Sequence, residues 1–309
     1  MTEDREKAHG GDRSRTASSS DLHRHRSPVE IGSRRASIRV PSPLRRRDQA
    51  RSWNNGAQAD LLIASYNVHK CIGVDQRFDP GRTAAVIAEI DADVIALQEA
   101  DRRFGEQAGL LDLKHLEREN GLFPVPAARG SNGHGWHGNL LLFRKGTLRD
   151  VHRIRLPGVE PRGALVVDVD LSAGPLRIVA THLGLLRRSR GQQADAIVEA
   201  VYAGHDRPTI LLGDLNEWRR GQRSALHNLG SAFGPLAVAL PSFPSRFPLF
   251  ALDRILANPH DLISGIEVHA TPLARIASDH LPIKARITLK GAPAGVRPAA
   301  ELPLDLAAC

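Results

Sequence analysis

The chain has 309 residues, 41% of them hydrophobic, with 42 Lys and Arg against 34 Asp and Glu and a net charge of +8. That is enough apolar content for one large domain or two small ones, and no apolar run approaches the roughly 18 residues a membrane-spanning helix needs. Two cysteines, Cys71 and Cys309, lack metal-type or redox-type neighbours, which excludes a disulfide framework and a cysteine zinc site.

The charge is uneven. Residues 1–57 hold 13 Lys and Arg and 7 Asp and Glu, so only +2 of the total belongs to the other 252 residues. This segment is rich in Arg, Ser, His and Asp and cannot bury enough surface to offset its ordering entropy, so it reads as a disordered basic tail. Its clusters Arg34-Arg35 and Arg45-Arg46-Arg47 read first as part of a solvated tail, with a peripheral contact to anionic lipid or nucleic acid as the alternative, and say little about what the remainder binds. The first thirty residues have no apolar stretch, so no secretory leader is expected. A cytoplasmic monomer, peripheral to the membrane at most, is the expectation.

Order is expected over residues 58–290. Residues 61–68 read as a strand ending in Tyr66-Asn67. Residues 82–91 place Ala85, Val86, Ala88 and Ile90 on a helix with one apolar face. Residues 94–99 are a buried strand whose last residue, Glu99, is costly there unless it meets a cation or a donor. Residues 101–137 are loop-rich, with a helix over 110–119 and a polar, Gly-rich loop over 129–137 that resembles a cover for a site. Its His134, Trp136 and His137, like His69 and Lys70 before them, read as exposed loop residues without a role. Asn139 opens the strand 138–143, and strands over 149–156, 164–171 and 176–183 follow at turn-length spacing, as antiparallel neighbours do. The last ends in Thr181-His182.

After a helix over 191–202 comes the segment around which the chain is organised. Residues 209–212 form a short buried strand, Gly213 interrupts it, and Asp214 and Asn216 follow two apart. In extended chain that spacing aims both side chains to one side. A helix is predicted over 222–229. In the loop over 241–248 and just beyond it, Phe243, Phe247 and Phe250 read as packing residues. Strands over 251–257, carrying Asp253, over 263–269 and over 281–289 complete the domain, with Asp279-His280 ahead of the last. Residues 291–309 are Ala/Pro-rich and read as a loose tail. So many strands with a few helices predict an α/β fold of two mostly antiparallel sheets packed face to face with helices outside.

Polar residues thus end strand after strand: Asn67, Glu99, His182, Asp214 with Asn216, and Asp279-His280, with Asp253 inside its own. Carboxylates gathered on one rim repel unless a divalent cation joins them, and oxygen ligands without cysteine favour Mg²⁺ or Mn²⁺. Histidines beside such a site suit phosphoryl chemistry.

Asn67, Leu97-Gln98-Glu99, Thr181-His182, Gly213-Asp214-Leu215-Asn216 and Ser278-Asp279-His280 occur in the order and spacing of the endonuclease/exonuclease/phosphatase superfamily, which the chain resembles over about residues 60–289. The resemblance implies a four-layer α/β/β/α sandwich and a metal-dependent phosphoric ester hydrolase, with water attacking in line at phosphorus. It implies Glu99 as the main Mg²⁺ ligand, helped by Asn67 and within reach of Asp279. Asp214 would orient or activate the water, and Asn216 would fix the phosphate. His280 would contact the scissile phosphate with Asp253 holding its ring, and His182 would donate to the phosphate. Arg162 resembles a phosphate-contacting arginine of the deoxyribonuclease branch, while Asn139 is either a substrate contact or a turn residue. Abasic-site enzymes carry a lysine two residues after the metal glutamate, where this chain has Asp101. The surroundings of Asn67 and Glu99 look more like small bacterial members. A small or lipid phosphoester is therefore placed ahead of DNA as substrate. A non-catalytic phosphate-binding module is the rival of another class, and the intact residue set argues against it.

Overall fold

Period-two alternation along the strands decides the layering. In β1 (Ala59–Asn67), Leu61 and Ile63 face one apolar cluster while Ala64 and Tyr66 face another. Two apolar faces on one strand need a layer on each side. The computed structural model describes residues 59–102, 108–127, 134–202, 207–234, 236 and 239–289. After β1 come α1 (Pro80–Ile90), β2 (Val94–Gln98), α2 (Leu113–Asn120), β3 (Phe123–Pro124), β4 (Leu140–Phe143), β5 (Thr147–Leu156) and β6 (Arg162–Leu171). They are followed by β7 (Gly174–His182), α3 (Arg187–Tyr202), β8 (Thr209–Asp214), α4 (Gly230–Phe233), β9 (Asp253–Asn258), β10 (Ile263–Val268), α5 (Ala274–Ala277) and β11 (Ile283–Leu289).

The strands form a six-stranded sheet ordered β10-β11-β1-β2-β4-β3 and a five-stranded sheet ordered β5-β6-β7-β8-β9. Between them lies one core, with Ile63, Ala96, Leu141, Ala285 and Ile287 from the first sheet, and Val167, Ile178, Leu212 and Ile255 from the second. Val86, Ile87 and Ile90 of α1 and Leu116 of α2 cover the outer face of the six-stranded sheet. Ala194, Ile197 and Val201 of α3 cover that of the other. This is the predicted four-layer sandwich.

Strand direction gathers the site. Each sheet is antiparallel except for one pair, β1 with β2 and β7 with β8. The C-terminal ends of these parallel pairs carry Asn67, Gln98, His182 and Asp214. The antiparallel neighbours begin where those strands end: β9 starts at Asp253 opposite Asp214, and β6 starts at Arg162 next to the end of β7. β4 starts just after Asn139 opposite Leu97, and β11 starts shortly after His280 opposite the end of β1. Asn67, His182, Asp214 and Asp253 also share strand parity with the residues that fill the core between the sheets. They point inward at one rim.

Several boundaries differ from expectation. α1 starts at Pro80 because the Asp79 carboxylate accepts from the Arg82 amide and Pro80 fills the first turn. α2 starts at Leu113, capped by Asp112, and α3 already at Arg187. The predicted helix over 222–229 is two 3₁₀ turns, Gly221–Arg223 and His227–Leu229, ahead of the short α4. Glu217 accepts from the Ala225 amide at 3.0 Å, which draws that backbone donor out of a helical ladder. Residues 1–57, 129–133 and 291–309, on which the tail readings and most of the loop reading rest, lie outside the described residues.

Candidate active site

Asp214 is the hub of the rim. It ends β8, only 1% exposed. Its Oδ2 accepts from Asn67 Nδ2 at 3.0 Å and faces His182 Nε2 at 3.4 Å and His280 Nε2 at 3.7 Å. Its Oδ1 accepts the Asn216 amide at 2.9 Å. Asn216 has φ +52, so the two side chains meet through an Asx turn and not through the alternation of an extended chain. Both N–H bonds of the Asn216 carboxamide are spent inside the protein, on Leu183 O at 3.0 Å and on His182 Nε2 at 3.1 Å. Just before the hub, Gly213 has φ +147, and a Cβ there would come within 1.8 Å of Thr181 O. Only glycine lets β8 close against β7 at that point.

His280 joins the two sheets. Its Nδ1 lies 2.9 Å from Asp253 Oδ2, which also accepts from Ser242 Oγ. The ring packs on Phe243 with centroids 4.8 Å apart. Ser278 Oγ donates to Asn67 O at 2.7 Å and accepts from the His280 amide at 3.2 Å, fixing the turn that presents the ring. Burial alone would lower the His280 pKa. The charges of Asp253 and Asp214 outweigh it and push it up to about 10, so the ring is an imidazolium at neutral pH.

Glu99 lies one residue past β2 with φ +55, which turns its side chain out of the strand's alternation. Its Oε2 is buried without a hydrogen-bond donor and lies 3.5 Å from Lys70 Nζ. Lys70 is itself left-handed, as are His69 and Cys71 beside it. Asp279, about a third exposed, is 3.6 Å from His69 Nδ1. A cleft of about 30 Å³ is lined by Lys70, Glu99, Asp101, His137, Arg162 and His182 among others. Burial raises the Asp101 carboxyl to about 6, opposed by the Gly138 amide that donates to it at 2.9 Å and reinforced by the charge of Glu99. Arg162 Nη2 meets Glu160 Oε2 at 3.1 Å. Asn139, fully buried, donates to Trp136 O and Gly163 O, both at 3.1 Å, and thereby ties the start of β4 to that of β6.

The donor set fits a hard cation. Glu99 offers a buried carboxylate oxygen with no hydrogen bond among the described residues, and Asn67, whose Oδ1 accepts the His69 amide at 3.0 Å, and Asp279 add further oxygens. Asp214, Asp253 and His280 also bring ligand-type atoms within 4.8 Å of one another. His280, however, turns one ring nitrogen to each carboxylate, hydrogen-bonded to Asp253 at 2.9 Å and facing Asp214 at 3.7 Å, which is the arrangement of an ion-paired relay.

Sequence reading set aside three residues that the structure brings into play. Lys70 and His137 line the cleft. Trp136 is 5% exposed, not a loop-surface residue, and its Nε1 donates to Ile154 O at 3.0 Å. Of the three phenylalanines read as packing, Phe247 is 77% and Phe250 40% exposed. No local pattern signals Lys70 or His137; both reach the cleft through left-handed backbone, at φ +55 and +49.

The family model for the Endonuclease/Exonuclease/phosphatase family matches residues 64–280. The chain belongs to that family, whose members are phosphoester hydrolases and generally depend on a divalent metal. No curated protein matches it. Among solved structures it is similar to an endonuclease/exonuclease/phosphatase from Beutenbergia cavernae, with 23% identity, a TM-score of 0.59 and coverage of 78% of this chain and 74% of that one. It is also similar to a mannosyl-6-phosphatase from Bacteroides thetaiotaomicron, with 19% identity, a TM-score of 0.53 and coverage of 73% and 98%. A third is D. rerio TDP2 complexed with a single-strand DNA product, with 17% identity, a TM-score of 0.52 and coverage of 74% and 99%. At these identities the likeness is one of fold.

Proposed function

We propose that the chain is a Mg²⁺-dependent hydrolase of a small or lipid phosphoester, with Mn²⁺ as an alternative metal. The observation that carries this reading is the Asp253–His280–Asp214 relay, buried beside a Glu99 carboxylate that lacks a hydrogen-bond donor. Glu99, Asn67 and Asp279 would hold the metal, which when bound would offset the carboxylate charge and stabilise the leaving oxygen. Asp214 would orient the attacking water. Asp253 holds the His280 ring so that an imidazolium faces the phosphate, where it stabilises developing charge and exchanges a proton. Arg162 supplies further donors, Lys70 adds a cation to the same cleft, and His182 lines it with its Nε2 taken up by the Asn216 carboxamide. Asn216 acts by positioning His182, because its own N–H groups are committed to Leu183 and to that ring.

A compact phosphoester is placed ahead of a long strand because Asp101 stands where abasic-site enzymes carry a lysine. DNA is the second reading, supported by the fold shared with a TDP2 that holds a DNA product. No helix among the described residues is long and apolar enough to cross a membrane. We place the protein in the cytoplasm as a monomer, with the basic segment 1–57 as a peripheral contact to an anionic surface. The test is a turnover screen with Mg²⁺ of an aryl phosphodiester, an aryl phosphate, plasmid DNA and a phospholipid panel. Turnover of a small or lipid ester, lost with Glu99→Gln, is expected. DNA nicking without lipid or small-ester turnover would reverse the order.

A further inference from the structure

Eleven large hydrophobic side chains are exposed among the described residues. Six of them sit in three segments at the site end of β7, β8 and β9. Leu185 and Leu186 follow His182, Trp218 follows Asn216, and Phe247, Leu249 and Phe250 precede Asp253. Their exposures run from 40% to 77%. The segments are neighbours because their strands are, and they touch: the Trp218 and Phe250 rings are 5.8 Å apart, and the Leu215 amide donates to Leu252 O. A soluble surface scatters such side chains singly; gathering them beside a catalytic cleft marks an interaction surface.

The exposed charged residues of these segments have one sign; the acids that meet them, Glu160 at the Leu185 amide and Glu217 at Arg219, are half-buried and buried. Arg187, Arg188, Arg219, Arg220, Arg223 and Arg246 are exposed in the same segments. No Asp or Glu occurs between residues 183 and 194 or between residues 218 and 252. Each apolar tip therefore carries its own guanidinium: Leu185-Leu186-Arg187-Arg188, Trp218-Arg219-Arg220 and Arg246-Phe247-Pro248-Leu249-Phe250. Arg219 lies over the Trp218 ring at 4.6 Å. A ring stacked with a cation, next to exposed leucine and phenylalanine side chains, is the composition that suits a membrane interface, where indole and guanidinium sit among head groups and aliphatic tips reach the acyl boundary. Nucleic acid would use the cations but has no place for three exposed leucines, which do not stack on bases.

We propose that this rim docks the catalytic face onto an anionic lipid bilayer, so that the enzyme meets its phosphoester in the membrane interface. The proposal rests on the phosphoester-hydrolase reading and names its substrate class as a lipid. The cleft lies beside the apolar tips: Pro161 and Arg162 line it, and the adjacent Glu160 accepts the Leu185 amide at 2.6 Å. Docking and hydrolysis would thus be two functions of one edge.

The test separates them. The full chain is sedimented with vesicles of phosphatidylglycerol and phosphatidylcholine, or of phosphatidylcholine alone, in excess chelator so that no turnover occurs. The wild type is expected to partition to the anionic vesicles. Phe247→Ser with Leu249→Ser should weaken that partition by about a hundredfold, and Leu185→Ser with Leu186→Ser by a similar factor. Added salt should weaken binding in every variant and preserve their order. Circular dichroism of each variant confirms that it folds. Equal partition of the wild type and the variants would assign binding to the basic segment 1–57 and overturn the proposal. So would failure to bind vesicles, or a self-association that the loop variants abolish. Separately, failure of the wild type to turn over a soluble aryl phosphodiester or a lipid with Mg²⁺, alongside intact docking, would overturn the hydrolase reading and not the surface.

Discussion

His280 Nδ1 lies 2.9 Å from Asp253 Oδ2, a contact made across 27 residues of chain and from one sheet to the other. Asp253 therefore orients the imidazole and holds its charge as one unit with it. Asp253→Asn and His280→Ala should each lower kcat by about a thousandfold, and the double variant should lose little more. Steady-state kinetics on a soluble aryl phosphodiester checks this, and additive losses would show that the residues act separately.

Glu99 presents a buried carboxylate oxygen that accepts no hydrogen bond among the described residues and lies 3.5 Å from the Lys70 ammonium. Glu99→Gln should abolish turnover while leaving the metal-free thermal midpoint where it is or slightly above. Mg²⁺ at about 100 times its dissociation constant should stabilise the wild type by about 2.7 kcal/mol, and the variant should lose that gain. Full activity of the wild type in excess chelator would contradict the metal assignment.

Asp101 carries a pH dependence whose sign is fixed by its burial. Its pKa is raised to about 6, so the folded state binds this proton more tightly than the unfolded chain does. The acid form favours the fold below about pH 4, and that advantage is lost as pH rises through 6. Asp101→Asn keeps an acceptor for the Gly138 amide without the charge. In chelator it should gain roughly 1–3 kcal/mol at pH 8 and nothing at pH 4. Denaturant unfolding at both pH values measures it.

Asp168 and Arg177 form a two-pronged ion pair, at 2.7 and 2.8 Å, between β6 and β7, and both are nearly buried. Removing either alone strands a charge. Asp168→Leu or Arg177→Met should each cost about 3 kcal/mol, and the double variant should recover most of it. A double-mutant cycle read by urea unfolding tests this.

Much of this site is legible in the sequence because strand ends are legible. Asn67, His182, Asp214 and Asp253 need only a buried strand and the correct parity, and four short apolar runs supply both. Strand parity stops being a guide where the backbone leaves the extended region. Glu99 and Asn216 reach the rim through positive φ, and so do Lys70 and His137. Side-chain alternation carries no information about where such residues point. The missing helix over 222–229 fails for another reason: a distant carboxylate, Glu217, takes one of its amides. Phe247, Leu249 and Phe250 resemble core residues by composition, and only the fold shows them exposed.

Asn67 Nδ2 reaches Asp214 across the core between the sheets, 147 residues away in sequence. Neither sheet alone contains the relay, since Asp253 and Asp214 belong to one and His280 and Glu99 to the other. A chain emerging residue by residue thus acquires its strands before it acquires the assembled site. Refolding should show sheet signal first and, on the proposed hydrolase reading, turnover only when the two halves have closed on each other. Turnover would then report complete assembly, and a half-made molecule would spare the ester that the finished one cleaves.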